Sequence, residues 1–274
     1  MKKEFGQAVS LPPFRGRLES KYNFRRFLEA LSDCKDLLDR SNCRLLHEGR
    51  NRVGVLALPH RDGGQAEIVV KEFCPRGVDR LKSLCFSSKA LKAWSGAQAL
   101  KARSVGTPFP VAYLEKRGRF FLEQGFFLSE RIEKVEEIRS LFRKLSLPQL
   151  QRMLDSLTAF LRSVHAGGIL HRDLSDGNIL VRGEAEGTFC FYLIDTNRIK
   201  VKRRLGILQR IKNLIRLGVP AQVQSIFLSR YLGDPKVKRY LWWWYLLNKR
   251  TFSWYIELKK KLKLRKLAQK LRIQ

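Results

Sequence analysis

His171-Arg172-Asp173-Leu174-Ser175-Asp176-Gly177-Asn178 is the stretch whose reading decides the fold of this chain. It follows a segment with Leu150, Met153, Leu154, Leu157, Phe160, Leu161 and Val164 on one face, a period that predicts a helix ended by Gly167-Gly168. Two short β-type segments come next, residues 179–181 and 189–194, flanking a turn through Gly183 and Gly187. A polar loop therefore sits between a helix and a strand, with Asp173 and Asn178 five residues apart and Asp195 at the end of the second strand. This spacing lets one carboxylate face an acceptor hydroxyl while an amide oxygen and another carboxylate offer hard ligands to a divalent cation.

Working outward, apolar residues at Phe24, Phe27, Leu28, Leu31, Leu37 and Leu38 predict a helix over residues 22–40. A β-rich block follows, with strands expected over 53–58 and 66–73 joined through Pro59 and Asp62-Gly63-Gly64. A helix is expected over 87–103, ended by Gly106-Thr107-Pro108, and further strands over 109–114 and 119–128, turning at Lys116-Arg117-Gly118. From Glu133 the pattern is helical, interrupted only by the two short strands, and residues 202–274 read as helical, basic and aromatic-rich. The expectation is an α+β chain: a small β-rich N-terminal lobe over 1–128, a mostly helical lobe over 129–240, and a basic aromatic extension over 241–274.

Phosphoryl transfer asks for metal held on the phosphates, a cation on the nucleotide and a group that orients the nucleophile. His171 to Asn178 has the form H-R-D-x-x-x-x-N, the catalytic-loop pattern of protein kinases, and Val69-Val70-Lys71 resembles their V-A-I-K strand, whose lysine meets the α- and β-phosphates. Gly49 and Gly54, in Gly49-Arg50-Asn51-Arg52-Val53-Gly54, can form a cover over phosphates or an ordinary hairpin turn. Glu130, just after Phe126-Phe127-Leu128, stands where a kinase hinge meets adenine through backbone groups. His165 lies beside an apolar helix face and reads as a satisfied core histidine, and His171 and Arg172 as braces of the loop. The histidines and cysteines show no zinc spacing, and there is no G-x-S-x-G nucleophile elbow.

With these residues in place, the sequence resembles the lipopolysaccharide kinases that phosphorylate Kdo or heptose in the inner core of bacterial lipopolysaccharide. Besides the loop, the likeness rests on Lys89-Ala90 with Trp94 before Gly106-Thr107-Pro108, on Leu128-Ser129-Glu130-Arg131-Ile132, on Leu193-Ile194-Asp195 with Asn197-Arg198, and on Asn213-Leu214-Ile215-Arg216-Leu217 before Tyr231-Leu232-Gly233. The resemblance implies a protein-kinase-like two-lobed fold and transfer of the ATP γ-phosphate to a sugar hydroxyl. It implies Asp173 as base or orienting group, Asn178 and Asp195 on Mg²⁺, and Lys71 on the nucleotide. Two departures bear on the acceptor: Thr196-Asn197 replaces the Phe-Gly that follows the metal-binding Asp of protein kinases, and Ser175 stands where serine/threonine kinases carry a lysine. No A-P-E peptide anchor follows, which disfavours a protein acceptor. Between Cys74 and Leu114 the only acid is Asp79, so the glutamate expected to pair with Lys71 has no counterpart; Gln98 lies near its place.

The formal charge of +30, from 55 Lys and Arg against 25 Asp and Glu, favours anionic partners. Residues 201–274 hold 20 basic residues against Asp234 and Glu257, a balance of +18. Residues 236–274 hold 13 Lys and Arg, Trp242-Trp243-Trp244, and leucines at 258, 262, 264, 267 and 271, a composition suited to an anionic membrane interface. A solvated basic face over packed tryptophans is the plainer reading of the same residues. Five scattered cysteines suggest reduced thiols. No apolar segment follows Met1-Lys2-Lys3-Glu4, and the longest apolar run, residues 240–247, is too short to span a bilayer. The expected setting is the cytoplasmic side, peripheral on the inner face of the bacterial cytoplasmic membrane, with a sugar or glycolipid acceptor. The competing readings are an atypical protein kinase and a non-catalytic, nucleic-acid-binding pseudokinase. A binding module has no need of Lys71, Asp173, Asn178 and Asp195 together, so nucleic acid is the weaker partner.

Overall fold

Strands open the chain: β1 (Gln7–Leu11) and β2 (Phe14–Leu18) pair antiparallel and precede a 3-10 turn and the short helix α1 (Arg25–Ala30). Three strands follow, β3 (Cys43–His47), β4 (Asn51–Pro59) and β5 (Gln65–Phe73), then helices α2 (Val78–Lys82) and α3 (Lys89–Lys101), and strands β6 (Pro110–Arg117) and β7 (Leu122–Glu130). They make one antiparallel sheet in the order β1-β2-β6-β7-β5-β4-β3. The computed structural model describes residues 5–32, 37–49, 51–184, 188–234 and 236–261. These fall into two units, residues 5–98 with 108–132 and residues 99–107 with 133–261.

Alternation along β5 sorts the first unit into two apolar layers. Ile68 and Val70 face a cluster with Phe14, Leu18, Tyr22, Phe27, Leu31, Leu37 and Leu38, all buried. Phe73, on the opposite face, packs with Ala90 and Ala93 of α3 and with Tyr113 and Phe127. The helix expected over 22–40 is shorter than its apolar period suggests. Among the described residues of this stretch only Arg25–Ala30 is α-helical, and Leu37 and Leu38 reach the same core from turns. The period marked the buried positions correctly, but burial does not require a continuous helix.

The second unit is built on helices: β8 (Glu136–Glu137), α4 (Ile138–Lys144), α5 (Leu147–Ala166), β9 (Ile169–His171), β10 (Ile179–Gly183), β11 (Phe189–Leu193), β12 (Ile199–Val201), α6 (Ile207–Leu214), α7 (Gln224–Leu232) and α8 (Arg239–Lys261). β10 pairs with β11 and with β8, and β9 with β12. Ser146 caps α5 reciprocally with Gln149, with Pro148 in the first turn. Leu150, Met153, Leu154, Leu157, Leu161 and Val164 are buried in a core shared with Leu214, Phe227, Leu228 and Tyr231. Leu241 and Tyr245 of α8 are buried in the same core, so this part of the region read as an extension is built into the second unit. The leucines at 262, 264, 267 and 271 lie outside the described residues, as does Arg50.

α5 ends where the chain must turn sharply into β9. Gly168 has φ +71°, and a Cβ placed there would come 2.0 Å from the Lys202 carbonyl oxygen, the group that lies beside it as β12 leaves β9. Backbone conformation and close approach thus both require glycine. Gly168→Ala is expected to destabilise the second unit by at least about 2 kcal/mol, read as a melting temperature several degrees lower in a thermal scan.

Candidate active site

The loop that follows β9 is anchored through one imidazole. The Asp173 N–H donates to His171 Nδ1 at 3.2 Å, so the ring's hydrogen lies on Nε2, which donates to the Ile194 carbonyl at 2.9 Å. Burial holds the His171 pKa below its ordinary value, in keeping with this neutral form. The two bonds tie the start of the loop to the strand end that carries Asp195. A second link comes from the Ile194 N–H, which donates to the Asn178 carbonyl at 3.1 Å. The structure therefore brings Asp173, Asn178 and Asp195 together on adjoining backbone segments of one unit.

Each has a defined local role. The Asn178 amide nitrogen donates to the Asp173 carbonyl at 2.8 Å and to Ser175 Oγ at 3.1 Å, which closes the loop and leaves Oδ1 as its acceptor atom. Asp195 is one of the few described non-glycine residues with positive φ, at φ 54° and ψ 45°, a left-handed conformation that the surrounding structure must impose. Arg198 lies 3.8 Å from its Oδ2. Upstream, Gly106-Thr107 runs beside β11. The Leu193 N–H donates to the Gly106 carbonyl at 2.9 Å and Thr107 Oγ1 donates to the Leu193 carbonyl at 2.9 Å. A side chain at Gly106 would strike the Phe191 carbonyl, so that glycine serves the approach of this segment to the strand leading to Asp195.

Arg216, two residues past the end of α6, forms an ion pair with Asp173. Its guanidinium lies 4.9 Å from the centre of the Phe252 ring on α8. Nothing local in the sequence links Arg216 to the loop, 43 residues away. The available signals were Ser175, which left the loop without its expected cation, and the quoted Asn213-Leu214-Ile215-Arg216 motif. Behind the loop, Tyr231 O–H donates to His165 Nδ1 at 2.6 Å, His165 Nε2–H donates to Asn213 Oδ1 at 3.1 Å, and the Asn213 amide donates to the His171 carbonyl at 2.7 Å. His165 is thus the satisfied core histidine expected, its pKa pulled down to about 4 by burial.

The remaining candidates belong to the first unit. Lys71 lies opposite Val53 and Phe127 in the sheet and shares its face with Phe73, with Nζ 5.5 Å from that ring's centre. α3 packs Ala90 and Ala93 against this face, with Trp94 on the Tyr113 ring, and Gln98 donates instead to Glu19. Gly54 faces inward, where a Cβ would meet Cys43 Sγ and Leu38 Cδ2 within 2.8 Å, so close packing alone accounts for this glycine. Gly49 precedes β4 in an exposed loop. Glu130 closes β7; its carboxylate accepts from Tyr22 O–H at 2.7 Å and Lys21 Nζ at 3.0 Å, and its N–H donates to the Phe109 carbonyl. No group of three or more His, Cys, Asp or Glu that could hold a metal occurs among the described residues.

Residues 80–226, which include the loop, Asp195 and Arg216, match the profile of the lipopolysaccharide kinase (Kdo/WaaP) family. The chain belongs to this family. A Kdo/WaaP-type kinase is a phosphotransferase that acts on a sugar hydroxyl with ATP as phosphate donor. A solved structure of WaaP in complex with acyl carrier protein is similar in fold, with a TM-score of 0.53 and 19% identity over 80% of this chain and 88% of that one. No curated protein matches the chain.

Two outcomes follow for this lipopolysaccharide kinase. Arg216→Ala frees the Asp173 carboxylate from its partner and is expected to lower kcat about a hundredfold with little change in the KM for ATP, while Arg216→Lys recovers part of the rate, as steady-state assays would show. The unfolded chain protonates a histidine near 6.5 and the folded chain protonates His165 only near 4, so acidification through that window favours unfolding. The contribution of His165 to stability is expected to be constant above pH 6.5 and to fall by up to about 3 kcal/mol as pH drops to 4, seen as a shallower pH dependence over that window in His165→Gln.

Proposed function

We propose that this chain transfers the γ-phosphoryl group of ATP to a hydroxyl of Kdo or heptose in the lipopolysaccharide inner core, on the inner face of the bacterial cytoplasmic membrane. The observation that carries this reading is the convergence of Asp173, Asn178 and Asp195 on one hydrogen-bonded frame, within a family of sugar kinases. In the step, the acceptor oxygen bonds to the γ-phosphorus as the bond to the β-phosphate oxygen breaks, and ADP leaves. Asp173 orients the hydroxyl and receives its proton. Asn178 Oδ1 and the Asp195 carboxylate are hard oxygen donors of the kind Mg²⁺ takes alongside phosphate oxygens, and that ion would neutralise charge on the transferred group. Arg216 fixes the direction of the Asp173 carboxylate.

On the first unit, Lys71 is the candidate cation for the α- and β-phosphates, and the segment from Gly49 to Gly54 the candidate phosphate cover. The base is read by backbone groups near Glu130. Because the Glu130 N–H already serves Phe109 and the Arg131 N–H donates to Glu67, those groups lie beyond these two amides. Ser175 and the missing peptide anchor favour a sugar over a protein hydroxyl.

Incubation with ATP, Mg²⁺ and a panel of Kdo- and heptose-containing glycolipids is expected to give phosphate on one of these sugars. Asp173→Ala is expected to lower that rate by about a thousandfold or more while nucleotide binding persists. Transfer to protein substrates with none to any glycolipid would overturn the assignment.

A further inference from the structure

α8 has two apolar faces, and among the described residues only one is packed. Its inner face supplies Leu241 and Tyr245 to the core of the second unit, with Trp242, Trp244, Leu246 and Phe252 packed against it. Lys249 Nζ donates to the Leu217 carbonyl at 3.3 Å, and Phe252 lies beneath Arg216. The opposite face would ordinarily carry charges. Instead it carries Tyr240, Trp243, Leu247 and Trp254, each between 57 and 63% exposed. Their spacing of three, four and seven residues places them in a single row about 21 Å long. Exposed Lys236, Lys238, Arg239 and Arg250 flank the row, and Glu257 is the sole acid of α8.

An exposed apolar row of this size, broken only by Arg250 and Thr251 between Leu247 and Trp254, marks a docking surface. A second copy of this chain fits it poorly, because each copy carries a net charge of +30. Tryptophan and tyrosine rings beside lysine and arginine suit a bilayer interface, where the rings enter the head-group boundary and the cations meet anionic lipid. No helix among the described residues is long and apolar enough to cross a membrane, so the geometry is that of a helix lying in the surface plane. We propose that the outward row of α8 docks this chain on an anionic bilayer. Arg216 and, through it, Asp173 are held on the other side of the same helix, about one helix diameter away, which brings the catalytic loop close to lipid-linked sugars. That last consequence rests on the proposed glycolipid acceptor; the docking itself is measured without any acceptor.

The test uses the full chain with vesicles of phosphatidylcholine alone or with phosphatidylglycerol added. Co-sedimentation is expected with the anionic vesicles only, weakening with salt, together with a blue shift of tryptophan emission and quenching by brominated lipid. The triple variant Trp243→Ser, Leu247→Ser, Trp254→Ser is expected to bind at least about tenfold more weakly, with an unchanged melting temperature and unchanged phosphate transfer to a deacylated, water-soluble acceptor. Should the triple variant melt early, Trp243→Phe and Trp254→Phe separately report whether these two rings carry the lipid quenching. Binding of neither vesicle type, equal binding by the triple variant, or quenching unaffected by both single variants would overturn the proposal. So would a wild-type dimer that the triple variant abolishes without any vesicle binding, since the face would then join two copies. Loss of glycolipid phosphorylation with vesicle binding intact would count against the acceptor and leave the docking surface standing.

Discussion

A neutral imidazole in the middle of the second unit sets the position of the loop that carries Asp173. Buried polar groups must be paired, and His165 has one donor and one acceptor to offer only while it is uncharged. Tyr231 of α7 fills the acceptor, and Asn213 of α6 accepts from the donor and hands its own amide proton to the His171 carbonyl. Three helices are thus held to β9 by directional bonds rather than by apolar contact alone. From there the second histidine distributes the constraint, one ring nitrogen to the Asp173 amide and the other to the strand that ends at Asp195. A proton added to His171 would set two donors against each other at Nδ1. The separation between the Asp173 and Asp195 carboxylates therefore depends on both histidines remaining neutral.

Electrostatics in this loop follow from a cation that differs from the kinase pattern in both position and type. Ser175 removes the lysine that would normally reach back toward Asp173, and its hydroxyl accepts instead from Asn178. The positive charge comes from Arg216, beyond α6, braced by an aromatic ring from α8. A guanidinium is planar and can stack on Phe252 while it pairs with a carboxylate, which an ammonium on a flexible stem does less well.

What could be read in the sequence follows from how local each signal is. α5 was legible because its apolar stripe, its capping box and its terminal glycines agree, and the His171–Asn178 loop because its pattern is compressed into eight residues. α1 was overdrawn because Leu37 and Leu38 extend its apolar period, yet they enter the core from turns rather than from the helix. β1 and β2 escaped notice because Gln7–Leu11 and Phe14–Leu18 alternate weakly, with only Phe14 and Leu18 buried. Arg216, Asn213 and Tyr231 could be seen only as pieces of a motif, since each acts on a partner far along the chain. The lysine strand shows the same limit in reverse: Lys71 stands at its expected place in β5, yet α3 brings alanines to that face and Gln98 turns to Glu19.

The tryptophan run in α8 shows why composition is a poor guide to the role of a segment. Successive residues on a helix point about 100° apart, so three adjacent tryptophans cannot share one face. Trp242 and Trp244 are half-buried against the core, Trp244 donating its indole N–H to the Leu208 carbonyl at 3.1 Å, while Trp243 stands out in the exposed row. The run is where two demands on one helix overlap. The inner demand is structural, since the face that buries Leu241 and Tyr245 also supports Arg216. The outer face makes no contribution to that packing, and large aromatic side chains there lower solubility without adding to the core. On the docking proposed above, these rings would enter a bilayer interface and the flanking cations would meet its anionic head groups.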